Sequence, residues 1–329
     1  MVSSRGNISP RSTLRGPSFR PNTGGPKKYL SIMLILFLIL IASDPQAASN
    51  YAGAFLELGV GARPLGMGSA YVAVAEGPEA GYWNPAGLAL GEVSALGLMH
   101  SEHFGGLVRN DFIGVALAGR PGWGMGASLL RTGVRGVKFT ALEDPEDTLS
   151  SQNRPYVVRE AGSGDYALLL SAAFSSGRLA LGGNFKLLYR TLWRYSAWGV
   201  GLDLGVLYTR GRWRAGICLR DLSTTPVLWD SGTRDRIDPS AEAGVSYRGE
   251  AFKGRWTLAL SWGRKCRGGV EYLHAGRVAL RLGWDGTGLT AGAGVSFQGL
   301  RADYAFLMHG ALGGTHRVSI DVPLPVGGI

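Results

Sequence analysis

The chain has 329 residues, of which 52 are glycine, 45% are hydrophobic and only 18% are charged. Proteins average about 7% glycine and about 25% charged residues, so glycine is about twice as frequent here and charge is scarce. Abundant apolar and aromatic residues exclude a disordered chain, the lack of a Gly-X-Y repeat excludes collagen, and two cysteines are too few for a disulfide framework or a four-ligand zinc site. Part of the net charge of +10 comes from residues 1–49, and no Lys/Arg cluster follows them. We therefore expect no nucleic-acid partner.

Residues 1–49 are predicted to be a leader with a secretory signal peptide. Lys27 and Lys28 precede an apolar run over 30–42, and small residues follow over 47–49. The apolar run has about 13 residues, whereas a helix needs about 20 to span a bilayer. A basic flank, a short apolar stretch and a small-residue cleavage site are typical of signal peptides, with a short membrane anchor as the alternative. We expect an exported protein.

From about residue 93 onward, apolar residues alternate with small or polar residues. Over 197–209, for example, Trp198, Val200 and Leu202 lie on one face of the predicted strand, and Asp203 lies on the other. A period of two residues indicates a β-strand, because successive side chains of a strand point to opposite faces. Fourteen such segments occur, at 93–100, 110–119, 122–131, 164–175, 178–190, 197–209, 212–221, 239–248, 254–263, 268–275, 277–285, 288–297, 299–308 and 314–322.

The lengths and connections of these segments favour a transmembrane β-barrel. Most have eight to thirteen residues, and a tilted membrane strand needs about 9–11. Tight turns alternate with longer loops, of which 132–163 and 222–238 are the longest, as in outer-membrane barrels whose termini lie on the short-turn side. A soluble β-sandwich also alternates, but charges on the polar face and aromatic residues near strand ends favour a polar lumen and a lipid-facing exterior. The predicted fold is all-β, a 14-stranded antiparallel transmembrane β-barrel over 93–329.

The polar face of the strands predicts a set of luminal charges. They come from neighbouring strands, so that pairs of opposite sign can satisfy one another and hold a plug, or can line a solute pathway. The set includes Arg214, Arg220, Glu242, Arg281, Asp303 and Arg317.

Residues 50–92 do not alternate and are predicted to fold as a hatch inside the lumen. Their closely spaced glycines suggest a tightly bent backbone that passes near other backbone. Asn84 and Pro85 can start a short helix, with Asn84 as the N-cap and Pro85 in the first turn. The Gly-x-Gly pairs lack the lysine and the strand–turn–helix context of a phosphate-binding loop, so no nucleotide is expected. The candidate hatch residues are Gly59, Arg63, Gly66, Gly68, Asn84, Pro85, Ala86 and Gly87.

Two motifs in this segment resemble a known family. The stretch Glu57-Leu-Gly-Val-Gly-Ala-Arg-Pro-Leu-Gly-Met-Gly-Ser-Ala-Tyr71 and the later Tyr82-Trp-Asn-Pro-Ala-Gly-Leu88 resemble the N-terminal signature of PorV/PorQ-family proteins, within the wider group of FadL-like outer-membrane barrels. The resemblance implies a fourteen-strand barrel with a luminal hatch, surrounded by outer-membrane lipid in a Gram-negative-type cell envelope. It implies two alternative functions. One is binding or passage of a hydrophobic small molecule, with the hatch as gate and a lateral opening in the wall. The other is a PorV-like accessory role in type IX protein secretion, in which the barrel binds cargo or secretion-system proteins.

The histidines and cysteines could in principle bind a metal or form a disulfide, but we expect them to be structural residues. His100 and His103 fall in the first predicted rim loop, which favours a solvated loop over a metal site. Cys218 faces the predicted lumen and Cys266 lies in a rim loop, so no disulfide is expected between them. We expect no metal, no cofactor and no enzymatic activity. The best candidate for a partner or ligand surface is the rim loop 222–238, because rim loops commonly carry function. Its candidate residues are Pro226, Trp229 and Asp230.

Overall fold

The computed structural model describes residues 51–309 and 313–325, and the predicted leader 1–49 lies outside this range. A short helical segment is followed by sixteen antiparallel strands. The strands are β1 (Ala95–His103), β2 (Val108–Ala118), β3 (Trp123–Leu142), β4 (Pro155–Ser176), β5 (Leu179–Leu192), β6 (Tyr195–Arg210), β7 (Trp213–Arg220), β8 (Thr225–Trp229), β9 (Arg234–Ile237), β10 (Ser240–Ala251), β11 (Gly254–Trp262), β12 (Cys266–His274), β13 (Val278–Trp284), β14 (Leu289–Phe297), β15 (Leu300–His309) and β16 (Gly313–Pro323).

Fourteen of these strands close into a barrel, which confirms the predicted fold class. The first and last strands meet, because β1 pairs with both β2 and β16, placing Leu98 opposite Ile113 and Ile320. Strand β7 lies between β6 and β10, and the other wall strands pair in sequence order. Closure gives every wall strand two neighbours, as a sheet in lipid requires, because hydrocarbon offers no partner for backbone polar groups.

Alternation along each strand separates an apolar exterior from a polar interior. On β13, Leu280 is 60% exposed while Arg281 is only 3% exposed. On β6, Leu202 is 47% exposed and Asp203 only 4%. Outward apolar and inward charged side chains are the pattern of a membrane barrel, and the reverse of a soluble fold.

Aromatic rings gather near the strand ends of the outer wall. At the short-turn end they form three cross-strand pairs, whose ring centroids are 5.0, 4.9 and 4.6 Å apart: Trp123 with Phe174, Trp213 with Tyr247, and Trp256 with Tyr272. Near the long-loop end, Tyr189 and Trp198 lie 4.5 Å apart. Such belts suit the headgroup level of a bilayer, because each ring has an apolar body and a polar edge.

The prediction that 132–163 is a loop was wrong. β3 and β4 have 20 and 22 residues and stay paired as far as Leu142 and Pro155. A register shift between Val134 and Val137 interrupts the alternation, which hides the strand from a period-two pattern. The β3–β4 hairpin therefore continues beyond the ends of its neighbours β2 and β5.

The prediction that 222–238 is a loop was also wrong, because it contains the hairpin of β8 and β9. Pro226 and Trp229 lie on β8, which pairs with β6, and Asp230 begins the turn to β9. Strands of five and four residues are too short for alternation to be evident.

The histidines and cysteines considered above lie on strands of the wall. His100 and His103 lie on β1 rather than in a loop, because the strand runs past its predicted end. Cys218 is buried, Cys266 is exposed, and both are free thiols. Across residues 51–309 and 313–325, no group of His, Cys, Asp and Glu side chains is arranged to hold a metal ion.

The hatch fills the lumen with short helical turns. Asn84 caps the last of them, its Oδ1 accepting from the amide of Ala86 at 3.2 Å, and the helix begins at Pro85, as the sequence predicts. The side chains of Tyr71 and Trp83 are buried in one core with inward-facing wall residues. In the described part of the chain, no helix has the length and apolarity needed to cross a membrane. The helical turns are Tyr51–Leu58, Ala62–Gly66, Gly77–Glu79, Ala80–Trp83 and Pro85–Leu90.

We predict that Ile113→Arg, at the middle of the outward face of β2, blocks assembly into a bilayer. An arginine on the lipid face near the midplane costs about 2–4 kcal/mol, whereas Gln298→Arg, in a short turn, costs little. Folding yield into lipid vesicles, followed by the heat-dependent gel shift of the barrel, measures the difference. Equal yields for the two variants would show that the assignment of outer and inner faces is wrong.

Candidate functional site

The hatch runs against the wall with backbone close to backbone. Gly68 has a φ of 63°, and a Cβ there would overlap carbonyl oxygens of the wall. From the other side, a Cβ on Gly269 or Gly283 would overlap the backbone of Met67 or of Gly68 itself. Glycine is needed on both surfaces for this contact, which accounts for part of the unusual glycine content.

The turn formed by Asn84, Pro85, Ala86 and Gly87 makes a second close contact. Its asparagine Nδ2 donates to the carbonyl oxygen of Val72 in the hatch at 3.0 Å, and to that of Val206 on β6 at 3.2 Å. A Cβ on Gly182 or Gly205 of the wall would collide with this turn. The turn therefore joins the hatch to β5 and β6. The four residues of this turn lie at 84–87.

The backbone over 58–61 is held by donors from the lumen. Gly59 and Gly61 have φ values of 72° and 80°, which turn successive carbonyl groups in different directions. All four carbonyl oxygens accept hydrogen bonds: Leu58 from Arg317 Nη2 at 2.7 Å, Gly59 from Asn110 Nδ2 at 3.0 Å, Val60 from Trp83 Nε1 at 3.0 Å, and Gly61 from Arg317 Nη1 at 3.4 Å.

Arg317 is a fully buried cation that carbonyl groups solvate. Its side chain has 0% exposure, and within the described residues it makes no ion pair. The partial negative charges of Leu58 and Gly61 replace its hydration. Arg317 and the first hatch turn therefore stabilise each other.

A chain of alternating charges crosses the interface between hatch and wall, and we call it the charge ladder. At its centre Arg63 of the hatch lies 2.6 Å from Glu76 and 2.8 Å from Glu271 of β12. Alternation of sign lets each buried charge compensate its neighbours, which offsets the cost of removing them from water. Its ion pairs are Arg248–Glu76, Glu76–Arg63, Arg63–Glu271, Glu271–Arg281, Arg281–Asp303, Asp303–Arg301 and Arg301–Asp321.

Two hatch carboxyls, Glu76 in the charge ladder and Glu79 beside it, have pKa values that are shifted in opposite directions. Burial alone would raise the pKa of Glu76, but the guanidinium groups of Arg63 and Arg248 hold it well below its usual range. For Glu79, burial and the neighbouring charge of Asp321 raise the pKa to about 8. Glu76 is therefore ionised at neutral pH, and Glu79 is mostly protonated.

On the long-loop side, hatch and wall enclose a small cavity of about 110 Å³, which we call the mouth cavity. Leu56, Tyr82 and Trp83 of the hatch and Ile237 of β9 give it apolar and aromatic surfaces. These surfaces can contact a small apolar molecule.

Charged side chains close one side of the mouth cavity. Arg220 Nη1 lies 3.2 Å from Glu242, and Arg267 Nη1 lies 3.1 Å from the other oxygen of the same carboxylate. Arg220 Nη2 also donates to the carbonyl oxygen of Trp83 at 3.4 Å. The cluster thus ties the hatch to β7, β10 and β12.

The barrel wall is interrupted between β7 and β8. Both strands pair with β6, but the four residues between them, 221–224, form no ladder, and we call them the wall break. A backbone hydrogen bond of 2.9 Å from the amide of Leu222 to the carbonyl oxygen of Leu202 ties it to β6. Asp221 and Thr224 have φ values of 55° and 61°, a conformation that non-glycine residues seldom adopt in a strand.

A buried lysine closes the wall break from the lumen side. Lys186 Nζ lies 3.0 Å from Asp203 and 2.7 Å from Asp221, and we call these three residues the latch. Asn184 Nδ2 donates to Asp203 Oδ2 at 3.1 Å and to the carbonyl oxygen of Gly81 in the hatch at 2.7 Å. The latch therefore connects the wall break to the hatch.

Outside the wall break lies an apolar groove of about 810 Å³, which we call the outer groove. Its lining includes Leu222 of the wall break and outward residues of β2 to β6. Ala172 and Gly183 are small and leave room between the larger Leu170 and Phe185. The groove therefore presents an apolar surface directly outside the wall break.

Most residues singled out in the sequence lie at the interface of hatch and wall. The candidate hatch residues are inside the lumen, and Arg63 and Asn84 make its central contacts. Arg214 lies partly buried on β7, and among described residues it forms no ion pair. The remaining predicted luminal charges are in the clusters described above or, for Arg317, against carbonyl groups. These are Arg220, Glu242, Arg281, Asp303 and Arg317.

Sequence reasoning missed the latch and the hatch carboxyls. Lys186 and Asp203 were recognisable as charges on a luminal face, but their partner Asp221 lies at the predicted end of a strand. The one available signal for Glu76 and Glu79 was a pair of acids that follows a long apolar stretch, because a buried carboxylate needs a cation.

Comparison with known proteins supports the fold. No protein-family model matches this chain, and no curated protein matches it. Similar solved structures include a Pseudomonas putida toluene transporter (TodX), with a TM-score of 0.56 and 12% identity over 80% of this chain and 96% of the transporter. They also include a monoaromatic hydrocarbon channel (CymD), with a TM-score of 0.54 and 12% identity over 81% of this chain and 97% of the channel. A Pseudomonas aeruginosa FadL homologue has a TM-score of 0.51 and 11% identity over 80% of this chain and 97% of the homologue. At these identities the similarity concerns the fold alone.

We predict that Arg63→Met loosens the hatch. Its loss leaves Glu76 and Glu271 buried without their shared cation, at a cost of about 3–5 kcal/mol. Ionic conductance in planar bilayers is expected to rise. The control is Arg264→Met, which removes an exposed pair with Glu57 worth about 0–1 kcal/mol. Unchanged conductance in both variants would contradict a hatch held by the ladder.

We predict that Glu79→Gln flattens the pH dependence of stability. The folded pKa of Glu79 is about 8 and the ordinary value is 4.5, so the folded chain binds the proton more tightly. Its stabilising contribution is full below the ordinary pKa and is lost as pH rises through about 8. Thermal unfolding in detergent should show the wild type losing stability between about pH 5 and about pH 9, and the variant losing less. Identical slopes would contradict a protonated Glu79.

Proposed function

We propose that this protein is an outer-membrane channel for hydrophobic small molecules, without enzymatic chemistry. The observation that carries the proposal is the wall break, which a buried latch closes on the inside and an apolar groove meets on the outside. A channel for ions or sugars would need a continuous polar path along the barrel axis, and here the hatch occupies that axis.

The outer-membrane location is supported by the apolar exterior, the aromatic belts and the closure of the barrel by the pairing of its first and last strands. The predicted signal peptide, which lies outside the described residues, would provide export. Insertion as a barrel would follow from the lipid-facing leucines.

The proposed route begins at the mouth cavity and ends in the outer groove. Leu56, Tyr82 and Trp83 offer the first apolar contacts on the long-loop side. Displacement of the hatch at Gly81 would remove a hydrogen bond from Asn184, which also contacts the latch. The ligand would then leave sideways, since lipid accepts an apolar molecule more readily than water does. Small aromatic hydrocarbons are the first class to test, because two of the similar structures are named for them.

We predict that a disulfide across the wall break abolishes uptake. In a background of Cys218→Ala and Cys266→Ala, the pair Leu202→Cys and Leu222→Cys joins residues that already share a backbone hydrogen bond. Uptake of radiolabelled toluene by cells that produce the oxidised barrel should fall to that of cells without it, and reduction should restore it.

The matched control places the same disulfide in continuous wall, with Leu258→Cys and Val270→Cys on the paired strands β11 and β12. Oxidation of this pair should leave uptake unchanged. Toluene uptake that is insensitive to the bond across the wall break would contradict the lateral route. Uptake no greater than background in the reduced proteins would contradict the channel itself.

The alternative is the PorV-like secretion accessory, and one observation favours it. The β3–β4 hairpin extends past its neighbours and exposes Tyr156, Val157 and Val158 in sequence. An exposed apolar strand edge can pair with an extended polypeptide. Crosslinking from a photoreactive residue at 157 in its native cells would separate the two functions. Capture of one secreted polypeptide, together with absent hydrocarbon uptake, would favour secretion.

A further inference from the structure

Basic side chains gather in the short turns of the barrel. The six turns are 119–122, 177–178, 211–212, 252–253, 275–277 and 298–299, and they contain five basic residues and no acidic residue. The five occupy separate turns and are all exposed, so they surround the rim rather than form one patch. They are Arg120, Arg178, Arg212, Lys253 and Arg277, which we call the basic ring.

The protein itself leaves the charge of the basic ring largely uncompensated. Within the described residues, none of the five forms an ion pair, and Glu250 is the carboxylate whose field reaches Arg212. The exposed acids close to this rim are Glu92 and Glu250, and they are outnumbered. The long-loop rim differs, since residues 143–154 carry four acids and one base.

The basic ring lies directly beyond the aromatic belt. The carbonyl oxygen of Arg212 accepts a hydrogen bond of 2.8 Å from the amide of Arg248, which follows Tyr247, one of the belt rings. Tyr272 of the belt donates to the carbonyl oxygen of Phe252 at 2.6 Å, in the turn that carries Lys253. If the belt lies at the headgroup level, these cations reach the level of lipid phosphates.

We propose, on the premise of the membrane location proposed above, that the basic ring binds anionic phospholipid headgroups of the leaflet on the short-turn side. Lipid is the occupant that matches the geometry, because an annulus of lipid surrounds the whole barrel whereas a protein partner contacts one sector. Guanidinium groups also form paired hydrogen bonds with phosphate oxygens. The basic ring would thereby fix the depth and tilt of the barrel and concentrate anionic lipid around it.

The test measures lipid preference in the full barrel. Wild type and the variant Arg120→Gln/Arg178→Gln/Lys253→Gln/Arg277→Gln are inserted into phosphatidylethanolamine vesicles with a minor fraction of brominated phosphatidylglycerol, or of brominated phosphatidylethanolamine. Quenching of tryptophan fluorescence gives the ratio of the two affinities. One engaged cation near an anionic surface corresponds to about a fivefold preference. We expect a larger preference than this for phosphatidylglycerol in the wild type, and at most about this preference in the variant, which keeps Arg212.

The matched control neutralises four exposed cations on the long-loop side, in Arg135→Gln/Lys138→Gln/Arg154→Gln/Lys265→Gln. It should keep the wild-type preference. A ratio near one for wild-type protein, an equal loss in both variants, or abolition by inorganic phosphate at constant ionic strength would overturn the proposal. The heat-dependent gel shift is recorded first, because failure of the wild type to insert would instead contradict the proposed membrane location.

Discussion

The ion pair between Arg63 and Glu271 is the interaction on which the rest of the interior depends. A guanidinium buried inside a barrel is costly unless carboxylates surround it, and here one carboxylate comes from the hatch and one from the wall. Neither partner could remain buried alone. Because Arg63 pairs with both carboxylates, the hatch supplies a cation that compensates the charge of Glu271 in the wall.

The same constraint explains the position of the glycines. Short ion pairs of this kind require the hatch backbone to lie directly on the strands, and Gly68, Gly269 and Gly283 provide the space. A larger side chain at one of these sites would push the two surfaces apart and lengthen the charge contacts beyond it. Backbone contact and charge compensation are therefore two consequences of one interface.

The wall break is held by different interactions from those of the rest of the wall. In continuous wall, successive strand residues form ladder hydrogen bonds with alternate neighbouring strands. Over 221–224 there is no ladder, and the latch and one backbone hydrogen bond hold the segment instead. Lys186 is shared by two aspartates, so one displaced contact changes the balance of the whole cluster. Asn184 joins this cluster to the hatch through hydrogen bonds to Asp203 and to the carbonyl oxygen of Gly81.

The sequence was sufficient to predict the barrel but not its interior contacts. Alternation over 277–285 predicts β13 because outer leucines and inner charges follow one another without interruption. Alternation fails at Val134, where the register shifts, and in β8, which has five residues. Arg63 and Asn84 could be selected because they lie in conspicuous motifs. Arg281 could be selected because it lies on the inward face of β13.

The pairing of those side chains depends on which distant strands the closed wall brings together. Arg63 and Glu271 are separated by 208 positions, and a strand pattern contains no information about that contact. The contact of Asp221 with Lys186 was equally unpredictable, because it forms where the chain no longer pairs in the sheet.

Anomalous X-ray diffraction from crystals of the barrel soaked with bromobenzene tests the central claim most directly. We expect bromine peaks in the mouth cavity beside Tyr82 and in the outer groove beside Leu222. Well-diffracting soaked crystals with bromine only in the surrounding detergent, and none at either position, would contradict a route for apolar molecules through this wall.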